Sequence, residues 1–233
     1  MNISIKGVQR TSLIDYPKKV CAVAFVSKCN FRCPYCHNAE LVFNEIKEDI
    51  PPEEILQFLE KKKKWLDGIC ITGGEPTLHK GLVDFAREVK KRKFLVKVDT
   101  NGTNPEMVKQ LIKEKLADYI AMDIKAPLDK YGSVTKTKAD KRAIQKTINL
   151  LMKSNINYEF RTTVVPGLFD EKDAEEIGKM LKGAKKFCIQ QFRNIDRTLD
   201  KKFQDLKPYP PKKLKDFKKI LSGYIKKVEI RGI

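Results

Sequence analysis

Long apolar runs are missing from this 233-residue chain. The longest, Val20–Val26, falls far short of the roughly 20 residues that a membrane-spanning helix needs. The opening Met-Asn-Ile-Ser-Ile-Lys-Gly has no apolar signal core, so a cytoplasmic location is expected, with no membrane partner. Cysteine is scarce: six residues in a chain of this length do not suggest a disulfide framework. No G-x-G-x-x-G follows a predicted strand and no Walker A lysine motif occurs, which argues against a dinucleotide or P-loop site. Helix-turn-helix, RNA-recognition and zinc-finger patterns are absent, as is any interleaved aromatic–basic stripe. Nucleic acid is therefore not an expected partner. Acidic residues are outnumbered, 30 against 48 Lys and Arg, for a net charge of +18. The lysine clusters Lys61–Lys64, Lys212/Lys213/Lys215 and Lys218/Lys219 lie on predicted helices and read as solvated faces. A basic surface also suits an acidic partner protein.

What the chain does contain is an alternation. Strand-like β-branched runs occur at Val20–Val26, Ile69–Thr72, Phe94–Asp99, Tyr119–Ile124, Tyr158–Val165 and Phe187–Gln191, with a short last one at Val228–Ile230. Helical stretches fall between them, at Pro52–Lys64, Leu82–Lys91, Pro105–Lys115, Lys141–Lys153, Asp173–Leu181 and Pro211–Ile225. Pro52 with Glu53 and Glu54 marks one helix start, and Asn104-Pro105 reads as N-cap then first turn. Helix between strands implies right-handed crossovers and a parallel sheet. About six β-α units are too few for a closed eight-stranded barrel. The expected fold is α/β, a partial, open (β/α)6 TIM-like barrel, with a flavodoxin-like sheet as the alternative. No linker splits the chain, so residues 1–233 are read as one domain. Residues 1–19 are an N-terminal extension leading into the first barrel strand, and 226–233 a short C-terminal strand.

Directly after the first strand comes Cys29-Asn30-Phe31-Arg32-Cys33-Pro34-Tyr35-Cys36. Three thiolates on a short loop can hold three irons of a four-iron cluster. No fourth cysteine stands at matching spacing, which leaves one iron open for chemistry. The competing reading is a structural zinc site with His37 as fourth ligand, although zinc ligands usually come as two spaced pairs. Cys21, Cys70 and Cys188 lie within predicted strands and read as small buried hydrophobes.

The other strand ends are unusual too: Thr72-Gly73-Gly74-Glu75-Pro76-Thr77, Asp99-Thr100-Asn101-Gly102, Met122-Asp123-Ile124-Lys125, Arg161 running into Val165-Pro166-Gly167, and Gln190-Gln191-Phe192-Arg193. In an α/β barrel these loops share one rim, where active sites form. Gly73 and Gly74 lack a Cβ, so a ligand can approach their backbone closely. Such an edge suits a zwitterionic amino acid. Lys125 and Arg161 offer cations for a carboxylate or for ribose hydroxyls. Asp99 and Asp123 suit a cation or ligand hydroxyls, and Tyr35 offers a face for a planar base.

The cysteine loop and the Gly73-Gly74-Glu75-Pro76 segment resemble the radical S-adenosylmethionine (radical SAM) superfamily, over essentially the whole chain. Ser12-Leu13-Ile14-Asp15-Tyr16-Pro17, Cys33-Pro34-Tyr35-Cys36-His37-Asn38, Asp99-Thr100-Asn101-Gly102 and Met122-Asp123-Ile124-Lys125 resemble its glycyl-radical-enzyme activating enzymes. Among these the chain is most similar to the longer anaerobic ribonucleoside-triphosphate reductase activating proteins, and also to pyruvate formate-lyase activating enzymes. The resemblance implies one 4Fe–4S cluster on Cys29, Cys33 and Cys36, with SAM chelating the open iron. It implies SAM contacts from Gly73, Gly74 and Glu75 (amino group), from Asp99, Asp123 and Lys125 (carboxylate and ribose, beside a monovalent cation), from Tyr35 and His37 (adenine), and from Arg161. One-electron cleavage of SAM would then yield a 5′-deoxyadenosyl radical that takes a hydrogen from a glycine of the partner enzyme. Flavodoxin or ferredoxin is the implied electron donor. The residue before the first cysteine is usually small in that family; here it is Lys28. Pyruvate formate-lyase activators carry a histidine after the sixth strand; here the segment is Gln191-Phe192-Arg193.

Two other functions compete. One is a radical SAM enzyme acting on a small molecule, similar to 7-carboxy-7-deazaguanine synthases. The other is a cluster-bearing electron carrier or binding protein without SAM chemistry, which leaves the Gly-Gly-Glu segment and the rim carboxylates without a task. A lateral gap in a partial barrel would admit a polypeptide loop, and Arg193 and Arg197 stand on the same rim to meet it.

Overall fold

Eight strands form one sheet in chain order: β1 (Ile5–Ser12), β2 (Cys21–Val26), β3 (Gly68–Gly73), β4 (Leu95–Thr100), β5 (Tyr119–Asp123), β6 (Asn157–Val164), β7 (Phe187–Gln191) and β8 (Val228–Arg231). This computed structural model describes residues 1–195 and 197–233. Strands β2 to β8 are parallel, and β1 runs antiparallel to β2. Among the described residues β8 does not pair with β1, so the sheet is open at one side, as the count of β-α units predicts.

The helices are α1 (Ala39–Phe43), α2 (Pro52–Lys61), α3 (Leu82–Lys91), α4 (Pro105–Lys113), α5 (Tyr131–Thr135), α6 (Lys141–Lys153), α7 (Glu171–Met180) and α8 (Pro211–Ser222). Helix α4 starts as its sequence says: the Asn104 side chain accepts from Met107 N–H, with Pro105 in the first turn. Helix α7 begins earlier than the expected Asp173, because Asp170 and Asp173 form a capping box that satisfies the first amides reciprocally. Helix α2 stops at Lys61, so most of the Lys61–Lys64 cluster lies beyond it. The α8 lysines do lie on a mainly exposed face, opposite buried Leu214, Phe217 and Leu221.

Residues 5–12, read from sequence as part of an extension, form the edge strand β1. Only its end residues Ile5 and Ser12 are buried, so it lacks the apolar run that marks the other strands.

The period of two along each strand separates the layers. Outward residues such as Ala24, Ile71, Val96, Val98, Ile120 and Phe160 join the helix faces in one large core. The inward layer is smaller and mixed. Its apolar part is Tyr16, Cys21, Val23, Cys70, Tyr119 and Ala121, confirming Cys21 and Cys70 as core residues; Cys188 is likewise fully buried. Its polar part includes Lys97, Asp99 and Glu159, all nearly or wholly buried. A buried charge is retained only where it is paired, and these charges lead to the site.

Candidate active site

The C-terminal ends of β2 to β6 surround a cavity of about 220 Å³. Cys29, Cys33 and Cys36 line it together with Tyr35, His37, Gly73, Gly74, Glu75, Asp99, Asp123, Lys125 and Arg161. Every site residue expected from the sequence is thus brought to one place.

The cysteine loop begins at a strained residue. Lys28 has φ +62°, in the left-handed region that costs a side-chain-bearing residue roughly 1–2 kcal/mol. Its N–H donates to Leu41 O at 2.7 Å and its carbonyl accepts from Glu75 N–H at 2.7 Å. The loop therefore keeps the conformation glycine would take, without glycine. Phe31 N–H donates to Cys29 Sγ and Asn38 N–H to Cys36 Sγ, both at 3.4 Å. As free groups these thiols resist ionisation: burial pushes Cys29 up to about 12 and raises Cys33 and Cys36 as well. Thiolates at this depth need a bound metal group to hold their charge. Three thiols on one loop, with N–H donors aimed at two of the sulfurs, fit an iron–sulfur cluster. A single zinc ion fits less well. Among the described residues no three His, Cys, Asp or Glu side chains converge on one ion position. The His37 ring nitrogen Nε2 instead lies 2.9 Å from Arg193 O.

Gly73 and Gly74 are glycine for a reason internal to the fold. A Cβ on Gly74 would lie 2.0 Å from Lys28 O, and one on Gly73, which has φ +109°, 2.7 Å from Val26 N. The missing side chains let β3 close on the end of β2, a packing demand that stands beside the ligand approach expected from the sequence. Gly73 O accepts from the Asn38 amide at 3.1 Å.

Glu75 is 1% exposed. Its Oε1 accepts from Thr77 N–H and hydroxyl and from the Thr100 hydroxyl, and its Oε2 from Asn101 N–H at 2.6 Å. The carboxylate thus ties the β3 loop to the β4 loop while lining the cavity. Burial raises its pKa against the pull of those donors.

Across the floor runs an alternating series of charges. Asp99 pairs with Lys97 through Oδ1 and with Arg161 at 3.0 Å through Oδ2. Asp123 pairs with Arg161 through Oδ1 and with Lys125 at 3.0 Å through Oδ2. Asp123 and Arg161 are direct cross-strand neighbours. Burial works against the charge on Asp123, but Arg161 and Lys125 outweigh it and hold the carboxyl well below the usual range. All four carboxylate oxygens expected to meet a monovalent cation already face protein cations.

The segment after β7 closes one side. Leu199 and Asp200 N–H donate to Cys36 O and Pro34 O at 3.0 and 2.8 Å, Phe203 packs 6.5 Å from the Tyr35 ring, and Phe192 packs beside His37. Arg197 lines a neighbouring cavity of about 420 Å³ that shares His37 and Asn38 with the first.

Sequence reasoning passed over Asn38, Thr100, Asn101 and Lys97. The first three sit inside motifs already singled out. Lys97 was findable from its place two residues before Asp99 on the same face of β4.

Residues 23–181 match the model of the Radical SAM superfamily. A Methanocaldococcus jannaschii protein, provisionally named a glycyl-radical enzyme activating enzyme, is 42% identical over 100% of this chain and 98% of its own length. The pyruvate formate-lyase-activating enzyme of Clostridium pasteurianum is 25% identical over 94% of this chain and 87% of its own. Among solved structures, a domain of pyruvate-formate lyase-activating enzyme from Bacteroides vulgatus superposes with TM-score 0.57 at 17% identity, over 71% of this chain and 99% of that one. Streptococcus suis SuiB bound to S-adenosylmethionine gives TM-score 0.69 at 14% identity, over 88% and 48%. These two likenesses are of fold. With the family model covering most of its barrel and a full-length relative at 42% identity, this chain belongs to the radical SAM superfamily.

Proposed function

We propose that this protein is a radical SAM activase that generates a glycyl radical on a partner enzyme, namely an anaerobic ribonucleoside-triphosphate reductase. The superfamily uses a 4Fe–4S cluster and SAM. Cys29, Cys33 and Cys36 would hold the cluster. Gly73, Gly74, Glu75, Asp99, Asp123, Lys125, Arg161, Tyr35 and His37 would surround SAM. The observation that carries the reading is the meeting of all these residues in one cavity. When bound, the cluster, reduced by one electron from a flavodoxin- or ferredoxin-type donor, would supply reductive cleavage of SAM and removal of a hydrogen atom from the partner's glycine, with methionine and 5′-deoxyadenosine as the products.

The chain's own residues contribute position and charge. Glu75 fixes the β3 and β4 loops against each other. Lys125 and Arg161, held charged by Asp123 and Asp99, present cations to a carboxylate. Tyr35, 7% exposed, gives the cavity an apolar wall.

The name of the 42% identical relative and the open side of the sheet both favour a protein substrate. A polypeptide loop can enter an open barrel, and the basic surface suits an acidic flavodoxin or ferredoxin as donor. Membrane and nucleic acid have no part in the reading, and we place the protein in the cytoplasm. Among the described residues no helix is long and apolar enough to cross a membrane.

The second reading, a small-molecule radical SAM enzyme of the 7-carboxy-7-deazaguanine synthase type, has one finding in its favour. A Helicobacter pylori GTP 3′,8-cyclase is 30% identical over 76% of this chain, but the match spans only 54% of that longer enzyme. Incubation of the reduced protein with SAM and each candidate substrate separates the two. The proposal expects 5′-deoxyadenosine formation to rise with the reductase, and turnover of a heterocycle without any protein partner would replace it.

A further inference from the structure

The resemblance to activating enzymes raised a monovalent cation beside Asp99 and Asp123, and the residues present do not fit one. Two carboxylates offer four oxygens, and each already faces a protein cation: Lys97, Arg161 twice, and Lys125. Three cations against two carboxylates leave the series with one net positive charge. Lys97 is the unusual member. Arg161 and Lys125 reach the cavity, whereas Lys97 does not line it. It lies beneath, on the inward face of β4, with its side chain 2% exposed. Its ammonium has two described contacts, Asp99 Oδ1 and the Cys70 sulfur at 3.5 Å.

A lysine in such a place is costly to bury even when it is paired, and an apolar pair there would often be no less stable, so its charge calls for a role. Burial works against its charge, and Asp99 and Cys70 outweigh that and hold the ammonium above lysine's ordinary value. If it were absent, Asp99 would be a buried, half-paired carboxylate whose Oδ1 faces a pocket the size of an ammonium group. That is the setting in which a small inorganic cation binds.

We propose that Lys97 is an internal counter-ion that takes the place of a monovalent cation beneath the ligand cavity, so that SAM binding by this protein does not depend on K⁺ or Na⁺. Lys97 is a positioning residue: it holds Asp99, Asp99 holds Arg161, and Arg161 faces the ligand. The inference rests on the reading that this cavity takes SAM.

The test uses the anaerobically reconstituted, cluster-loaded protein. SAM affinity and thermal stability are measured in KCl, NaCl and tetramethylammonium chloride at one ionic strength. Wild type should give the same affinity and the same Tm in all three salts. Lys97→Met should bind SAM on the order of tenfold more weakly in tetramethylammonium chloride, as expected when one partner of a buried pair is removed. Added K⁺ or Na⁺ should restore much of that loss and raise the variant's Tm, with saturation. Lys97→Met/Asp99→Asn, which removes both charges, should lose the cation response. Wild-type affinity that rises with K⁺ or Na⁺ would overturn the proposal, as would a folded Lys97→Met variant indifferent to the salt. If Lys97→Met does not fold, the wild-type comparison decides alone. Absence of SAM binding in every salt would remove the SAM reading and this inference with it, which separates that failure from a cation-dependent wild type.

Discussion

Replacing Glu75 by Gln separates two roles for one carboxylate. If Glu75 mainly ties the β3 and β4 loops together, the substitution should cost stability before any ligand is added. The four donors on its two oxygens decide the size of the effect. Glutamine keeps one acceptor oxygen. With that oxygen on the three donors that Oε1 now meets, the amide nitrogen faces Asn101 N–H, donor against donor. A hydrogen bond to a charged group contributes about 1.5–3 kcal/mol, and an unsatisfied buried donor costs about 1–3 kcal/mol. The surviving bonds also lose their charge assistance. These effects overlap, so a net loss of about 2–4 kcal/mol is expected, a large share of the 5–15 kcal/mol typical of a domain. The assay is anaerobic urea denaturation of the cluster-loaded protein, with a SAM titration alongside. The midpoint should fall, and SAM affinity should fall with it because the Asn101 loop is no longer held. A Glu75→Gln variant as stable as wild type but poor at binding SAM would refute the reasoning and make the carboxylate a direct ligand contact only.

Replacing Cys29, Cys33 or Cys36 by Ala should abolish an iron and sulfide content of about four each, whereas Cys21→Ala and Cys188→Ala should keep it; retention of the full cluster by any of the first three would remove that residue from the ligand set. Lys28→Gly should raise stability by about 0.5–1 kcal/mol, because relief of the left-handed strain exceeds glycine's entropic cost; a fall in Tm would show that the lysine makes a contact the fold needs. Glu159→Gln should cost about 3–5 kcal/mol near neutral pH, since Arg231 bonds both carboxylate oxygens at 2.7 Å in the barrel interior. Burial alone would raise the Glu159 pKa, but Arg231 and Lys186 outweigh it and bring it from 4.5 to about 2. The carboxylate's contribution is therefore complete above about pH 4.5 and is lost as pH falls toward 2. Urea midpoints of wild type and variant should converge on acidification, and a constant gap would contradict the assignment.

The strands announced themselves where both faces are covered, as in Val20–Val26, because a parallel strand buried on both sides must be apolar throughout. β1 escaped because it is an edge, with Gln9, Arg10 and Thr11 exposed. α1 and α5, five residues each, are too short to show a helical period. The rim residues were legible because the C-terminal ends of strands in an α/β barrel share one mouth, so placing a residue at a strand end nearly places it in space. What each residue does there was less legible. The two glycines serve the approach of β2, which depends on a loop far back in the chain. Lys97 reads in isolation as a solvated lysine; the period of two puts it on the Asp99 face, and the pairing of β4 with β3 and β5 buries it. The Glu75 bonds to Thr100 and Asn101 span 25 and 26 residues, beyond the reach of any local pattern.

The most direct test of the account mixes the reduced, cluster-loaded protein with SAM and the anaerobic ribonucleotide reductase of the same organism under strict anaerobiosis. Electron paramagnetic resonance should then show a glycyl-radical doublet on the reductase, with one methionine and one 5′-deoxyadenosine released per radical formed. SAM cleavage without a radical on that reductase would contradict the choice of partner, and no radical on any glycyl-radical enzyme of the organism would contradict the activase itself.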